Sequence, residues 1–295
     1  MKTTKLNRSD GLQMAWLLLV VGCCMTCATA TAQMAVAYEK SDSLLVEQLL
    51  EKGQGQPTLF FARRLLGVPY VAHTLEVGDE EQLVVNLREM DCTTFVETVV
   101  ALAICANRGE KSFAHYVQTL AQLRYRKGAI DGYTSRLHYF TDWIIDKQQM
   151  GLVQEIDQPN PPFKGLQTLS IDYMSKHPQA YKALAGHRDR VAVIAEQEKR
   201  LTGLTFRFIP KREVKNTQAL RRAVKDGDII AITCSKPGLD IAHLGFAVWG
   251  RDGLHLLNAS QLHRQTVEEP MTLRKYLSKH PSHTGIRVVR LKMEK

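Results

Sequence analysis

An α+β fold is predicted by three features of the sequence. Apolar residues recur at helical spacing through the first two-thirds of the chain, whereas short β-type runs bounded by turn residues fill the last third. The change of period occurs once, after about residue 201, and no internal repeat or low-complexity tract interrupts either part. Helices followed by a run of strands favour helices packed on an antiparallel sheet over alternating β–α units.

The 295 residues, 44% hydrophobic and 23% charged, suffice for one large domain or one domain with a helical extension. The N-terminus has a separate character. Lys2, Lys5 and Arg8 precede an apolar run over 14–22, and small residues follow as far as Ala30-Thr31-Ala32. That order is the pattern of a secretory signal peptide, with residues 1–32 as leader and residues 33–295 as a single domain that includes N-terminal helices. Cleavage after Ala32 would release a soluble protein into the periplasm. Val20-Val21-Gly22-Cys23 allows a second outcome, a lipoprotein leader ending before Cys23 and a membrane tether on that cysteine. No later segment has about 20 consecutive apolar residues. Loss of residues 1–32 removes three basic residues and one acid and lowers the formal charge from +9 to +7. A basic exported protein suits anionic surfaces such as cell wall or lipid headgroups, or simply has a solvated basic face. The basic residues are scattered and match no nucleic-acid module, so no nucleic-acid partner is expected.

Along the chain, helices are predicted at 41–53 and 57–67, followed by an extended Val68-Pro69-Tyr70 and a short apolar run at 82–87. Next, Phe95, Val96, Val99, Val100 and Ala103 recur as one helical face, with Cys92 on that face at the helix start. Further helices are predicted at 113–124, 139–149, 171–184 and 190–201, with 186–189 as a connection. Prolines at 159, 161 and 162 make 157–162 a loop. Strands are predicted at 204–208, 228–233, 244–249, 254–257 and 285–291.

Three cysteines lie in the leader, which leaves Cys92, Cys105 and Cys234. An odd number leaves at least one thiol without an internal disulfide, and no CxxC pair remains to bind a metal. In an oxidising compartment such a thiol is either buried or used. Cys105 follows an apolar run and reads as core, and Cys234 reads as a strand end. Cys92 is different, because Asp91 can cap the helix that it begins. A helix N-terminus carries partial positive charge and unpaired amides, which can stabilise a thiolate or an oxyanion. On the helix pattern alone, a buried structural cysteine and a nucleophile both remain open.

A nucleophilic cysteine needs a base and a group to orient it. His243 opens an alternating run, with Gly245 and Ala247 on its own face leaving room for a ring and a substrate. The turn Gly250-Arg251-Asp252-Gly253 predicts a hairpin in which Trp249 pairs with Leu254. In that register His243 and Asn258 are diagonal neighbours on one face, within reach of a hydrogen bond that would fix the imidazole tautomer. Asn258 also reads as an ordinary turn or strand-end residue.

Asp91-Cys92-Thr93-Thr94-Phe95-Val96, followed much later by His243-Leu244-Gly245-Phe246, resembles the NlpC-type cell-wall cysteine peptidases. The nearer resemblance is to their N-acetylmuramoyl-L-alanine amidase-like branch. It is carried by Leu83-Val84-Val85-Asn86-Leu87-Arg88, Arg124-Tyr125-Arg126, Ser135-Arg136-Leu137-His138-Tyr139-Phe140, Gly238-Leu239-Asp240-Ile241 and Leu256-Leu257-Asn258-Ala259-Ser260. The resemblance implies a papain-like fold with Cys92 as nucleophile, His243 as general base and Asn258 as orienting group. Asn258 stands where this branch is expected to carry histidine, and asparagine can orient a ring but cannot titrate. Tyr70, Asp91, Thr93, Ser135, Arg136, His138, Tyr139 and Asp240 are the candidate substrate-binding residues. The implied substrate is a peptidoglycan-derived muropeptide, cut at the amide between N-acetylmuramic acid and L-alanine without metal or cofactor. Alternatives are an endopeptidase cutting between γ-D-glutamate and a diamino acid, and an inactive wall-binding lipoprotein. A transglutaminase-like site would need an aspartate to orient His243, and the next one, Asp252, falls in the predicted turn.

Overall fold

The fold is seen in a computed structural model, which describes residues 35–293. The leader and Cys23 lie outside the described residues. The helices are α1 (Lys40–Lys52), α2 (Thr58–Arg64), α3 (Cys92–Asn107), α4 (Phe113–Arg124), α5 (Phe140–Gln149), α6 (Tyr173–Lys176), α7 (Arg188–Leu201), α8 (Gln218–Ala223) and α9 (Leu273–Ser278). The strands are β1 (Val36–Ala37), β2 (Leu83–Val84), β3 (Val153–Ile156), β4 (Gly165–Thr168), β5 (Thr205–Pro210), β6 (Ile229–Cys234), β7 (Ile241–Trp249), β8 (Leu254–Ser260), β9 (Gln265–Glu268) and β10 (His283–Leu291).

The main sheet runs β4-β5-β10-β6-β7-β8-β9, with β3 also on β10, and every pairing in it is antiparallel. Every residue of β6 is buried, because helices cover both faces of the sheet there. Leu244, Phe246, Leu257 and Ala259 face the core around α1–α4. Ile230, Ile232, Ala247 and Leu256 face the core closed by α8 and α9. A third, smaller core, including Tyr133, Tyr139, Met174 and Ile194, gathers the segments between α4 and β5.

Helix α3 is buried more completely than its predicted single face. Residues 94–106 are all buried, since α1, α2 and α4 flank it on one side and β7 and β8 on the other. That environment encloses Glu97, whose Oε2 accepts a 2.7 Å hydrogen bond from Arg124 Nε, while Arg124 Nη1 donates to the Val84 carbonyl at 2.6 Å. The strands predicted at 228–233, 244–249, 254–257 and 285–291 are present, and β7 and β8 extend further than predicted. The helix predicted at 171–184 is not. Only the short α6 and a 3-10 turn at Pro178–Ala180 form there, because His177-Pro178 breaks the hydrogen-bond ladder. Strands β3, β4 and β9 and helices α8 and α9 were not predicted; each is only four to six residues long, and β3 and β4 pair with strands remote in sequence.

Truncating either member of the Glu97–Arg124 pair leaves a buried uncompensated charge. Glu97→Ala or Arg124→Ala should therefore cost about 3–5 kcal/mol in denaturant unfolding, and replacing both by apolar residues of similar volume should cost less.

Candidate active site

Asp91 precedes α3 in an extended conformation, and its carboxylate accepts the Thr94 amide at 2.8 Å and the Thr94 hydroxyl at 2.9 Å. The Asp91 amide in turn donates to the Thr94 hydroxyl at 2.9 Å. This reciprocal cap fixes the first turn and makes Cys92 its first residue. Around the sulfur stand the amide of Cys92 itself, the Thr93 hydroxyl and the amide of Leu244, all of which favour the thiolate.

The position of the Leu244 amide follows from the strand pairing. Ala247 N–H donates to the Asp228 carbonyl, so odd-numbered residues of β7 direct their backbone groups toward β6 and even-numbered ones toward β8. Pairing between β7 and β8 runs from Trp249–Leu254 to Phe246–Leu257 and stops there. Leu244 is the next residue that would have bonded β8, and its amide faces the Cys92 sulfur instead. The sulfur is thereby held against the residue that follows His243.

The hairpin has the predicted register, and His243 Nε2 lies 2.9 Å from Asn258 Oδ1. Asn258 is fully buried, and its amide nitrogen donates to Glu269 Oε1 at 3.3 Å. That second bond orients the amide, so Oδ1 accepts and Nε2 must carry the proton. The lone pair is left on Nδ1, the nitrogen that can act as a base. Glu269 is itself buried and accepts from His263 Nε2 at 3.2 Å. No sequence motif marked Glu269; it belongs to the site only because β8 and the residue after β9 meet. Gly245 also has a different reason from the predicted one. A Cβ there would stand 2.7 Å from the Leu257 carbonyl and 2.8 Å from a Leu256 methyl, so its missing side chain admits β8 rather than a substrate.

Burial favours the uncharged forms of both the Cys92 thiol and the His243 ring. Burial, reinforced by neighbouring Asp91, pushes the Cys92 thiol up to about 12 against the helix-start amide, the Thr93 hydroxyl and the Leu244 amide. The predicted thiolate stabilisation is present but is outweighed. Burial lowers the His243 pKa below its usual 6.5, although the Asn258 bond opposes this.

The candidate substrate residues divide into two groups. Asp91 and Thr93 adjoin the sulfur, and Tyr70 joins them: it bridges to Met90, and its phenol is pushed up to about 12 by burial, then by Cys92 and Asp91. The others have structural partners. Ser135 donates to the Gly132 carbonyl at 2.7 Å, and His138 Nε2 lies 3.0 Å from the Tyr133 carbonyl, with burial lowering its pKa to about 3. Arg136, a candidate substrate-binding residue, is held by both oxygens of Glu81, at 2.9 and 2.6 Å. Tyr139 is buried with its hydroxyl 2.6 Å from Glu198, so it does not line a cleft. Asp240 is buried and accepts the Thr141 and Ile241 amides at 2.7 and 2.8 Å, tying the start of α5 to the strand that carries His243. Cys105 lies in the core 3.3 Å from the Thr119 hydroxyl, and Cys234 ends β6, as their sequence contexts predict.

The antiparallel α+β scaffold thus places the Cys92 thiol beside the Leu244 amide, one residue from an imidazole oriented by a buried amide. The N-acetylmuramoyl-L-alanine amidase-like family model matches residues 60–286, and the chain belongs to that family. A solved N-acetylmuramoyl-L-alanine amidase from Bacteroides uniformis is 40% identical, with 83% of this chain and 99% of that one covered and a TM-score of 0.75. A Bacteroides fragilis structure under a provisional xylanase name is also 40% identical, covering 78% of this chain and 99% of its own, with a TM-score of 0.73. A Legionella pneumophila protein of 21% identity shares the fold, with a TM-score of 0.67 over 86% of this chain and 96% of its own. Comparison with curated proteins finds no match.

Because the thiol is protonated at neutral pH, alkylation of Cys92 by iodoacetamide should rise about tenfold per pH unit between pH 7 and 9. Mass spectrometry of the Cys92 peptide reads this directly. A rate already level at neutral pH would mean a preformed thiolate–imidazolium pair.

Proposed function

We propose that this chain is a cysteine amidase of papain-like, NlpC-type fold that hydrolyses the amide between N-acetylmuramic acid and L-alanine in peptidoglycan fragments. The observation that carries the reading is the tautomer set on His243 by Asn258, with the Cys92 sulfur held beside Leu244. Family membership supports an amidase acting on peptidoglycan-derived material. A glycosidase reading, suggested by the xylanase name, is not favoured, because glycoside hydrolysis generally uses a flanking carboxyl pair and this centre offers a thiol and an imidazole.

In this mechanism the neutral His243 Nδ1 takes the Cys92 proton as the sulfur attacks the lactyl carbonyl. The amide at the start of α3 bonds the developing oxyanion. Collapse breaks the C–N bond, and the imidazolium passes its proton to the leaving L-alanine nitrogen. Water, deprotonated by the same imidazole, then attacks the thioester, releases the muramic acid carboxylate and restores the thiol. Asn258 and Glu269 keep the ring in place and do not themselves transfer the proton. The basic, apolar and small-residue leader supports export, with either cleavage after Ala32 or lipidation at Cys23.

The test is incubation with a defined disaccharide-tetrapeptide followed by mass spectrometry. Free disaccharide plus intact tetrapeptide, absent with Cys92→Ala, is the expected result. A cut between γ-D-glutamate and the diamino acid would make the enzyme an endopeptidase, and the absence of any Cys92-dependent product would remove both readings.

The pH profile gives a second test. Activity requires neutral His243 and is lost as pH falls through its lowered pKa. The acid limb of kcat/KM should therefore have its midpoint below 6.5, the usual imidazole value.

A further inference from the structure

When His243 takes the Cys92 proton it becomes a cation in a place where burial favours the neutral ring. A buried cation needs negative charge held near it. Asn258, the residue bonded to the ring, is neutral and supplies only a dipole. The titratable groups around the ring are Asp91 and Cys92 at the start of α3, Tyr276 of α9, His280 just after it, His283 of β10 and Glu269 just after β9. The two histidines can add only positive charge, and the thiol and phenol are neutral at rest. Two carboxylates remain. Asp91 is committed to the Thr94 amide and hydroxyl, and its charge weighs less on His243 than that of Glu269.

Glu269 is fixed at both ends. Its amide donates to the Leu256 carbonyl at 2.8 Å, and its own carbonyl lies 2.9 Å from His255 Nδ1, so β8 pins the backbone. The side chain is buried, with Oε1 on the Asn258 amide nitrogen and Oε2 on His263 Nε2. His263, whose side chain is 33% exposed, is its ion-pair partner. An imidazole is ordinarily a stronger base than a carboxylate, so the proton between them rests on the ring and the carboxylate is an anion. Orientation alone does not call for that anion. A glutamine carbonyl would accept from Asn258 equally well and would not bring a charge into the interior. The charge also reaches the reacting groups: the Tyr276 phenol is pushed up to about 12 by burial, then by Glu269 and Cys92.

We propose that Glu269 is a positioning residue whose negative charge, set one amide behind His243, stabilises the imidazolium as it forms. The work of a single carboxylate is thereby divided, Asn258 making the hydrogen bond and Glu269 supplying the charge. No proton moves along this series. The transferred proton passes between the Cys92 sulfur, His243 Nδ1 and the leaving nitrogen, while the Nε2 proton stays on its bond to Asn258. A carboxylate bonded directly to Nε2 would favour the imidazolium at rest. One amide away, Glu269 offsets only part of the effect of burial, and the resting ring stays neutral and able to act as a base. The inference rests on the proposed roles of Cys92 and His243 and is independent of which amide is cut.

The experiment is an NMR titration of the imidazole signals, with His243 identified as the signal absent from His243→Gln. Glu269→Gln keeps the shape and hydrogen-bonding capacity of the side chain and removes its charge. The His243 midpoint should then fall by about one pH unit, with Tm little changed. Adding Asn258→Asp to Glu269→Gln moves the charge onto the ring and should raise the midpoint above that of the unaltered protein. The double variant has the same number of buried carboxylates as the unaltered protein, so it decides the matter if Glu269→Gln does not fold. With a substrate the enzyme cuts, kcat should fall about tenfold in Glu269→Gln at unchanged KM. A His243 midpoint unmoved by Glu269→Gln, or not raised in the double variant, would overturn the proposal and leave Glu269 a structural residue. If no muropeptide is cut in a Cys92-dependent way, the amidase reading fails while the titration still decides the role of Glu269.

Discussion

The hydrogen bond between His243 and Asn258 is the contact on which the rest of the site depends. It exists because the hairpin of β7 and β8 places two residues with remote sequence contexts on one face, and a single-residue slip would put Asn258 on the other face. The bond also has a direction. Glu269 takes the amide nitrogen of Asn258, and this leaves Oδ1 to accept the His243 proton. A carboxylate, an amide and an imidazole thus form an ordered series that ends in a basic nitrogen.

The same hairpin creates the place for the thiol. Had β7 and β8 stayed paired beyond Phe246–Leu257, the Leu244 amide would have been spent on the sheet. Where the pairing stops, that amide is free to face Cys92, which the Asp91 cap presents at the first turn of α3. Helix and sheet therefore each leave donors unsatisfied at their ends, and the sulfur sits where the two ends meet. Burial dominates the electrostatics there. It holds both the thiol and the imidazole in their uncharged forms, so the charge separation that catalysis needs arises with the attack rather than before it.

Rigidity around this centre comes from buried ion pairs. Arg124 joins α4 to Glu97 of α3 and to β2, Arg287 of β10 joins Glu155 of β3 at 2.5 Å, and Arg136 joins Glu81. Such pairs add little net stability over apolar packing, but each has a narrow range of acceptable geometry. Their common feature is that they link elements distant in sequence.

The sequence alone determined the α+β class, the helical start at Cys92, the hairpin register and the meeting of His243 with Asn258. These follow from local periodicity, a capping aspartate and a turn length, all of which act over a few residues. It also pointed to Tyr70, Asp91 and Thr93, because they flank the cysteine or precede it in a readable turn. Tertiary structure decided what local chemistry could not. Arg136 looked available until Glu81 was placed against it, Tyr139 looked like a cleft residue until Glu198 was found on its hydroxyl, and Glu269 carried no signal at all. The sign of the Cys92 shift was of the same kind: the helix N-terminus is legible in sequence, but the burial that outweighs it is set by every element packed around the sulfur. A side chain's partners, and hence its charge state and availability, depend on segments brought together only when the chain has folded.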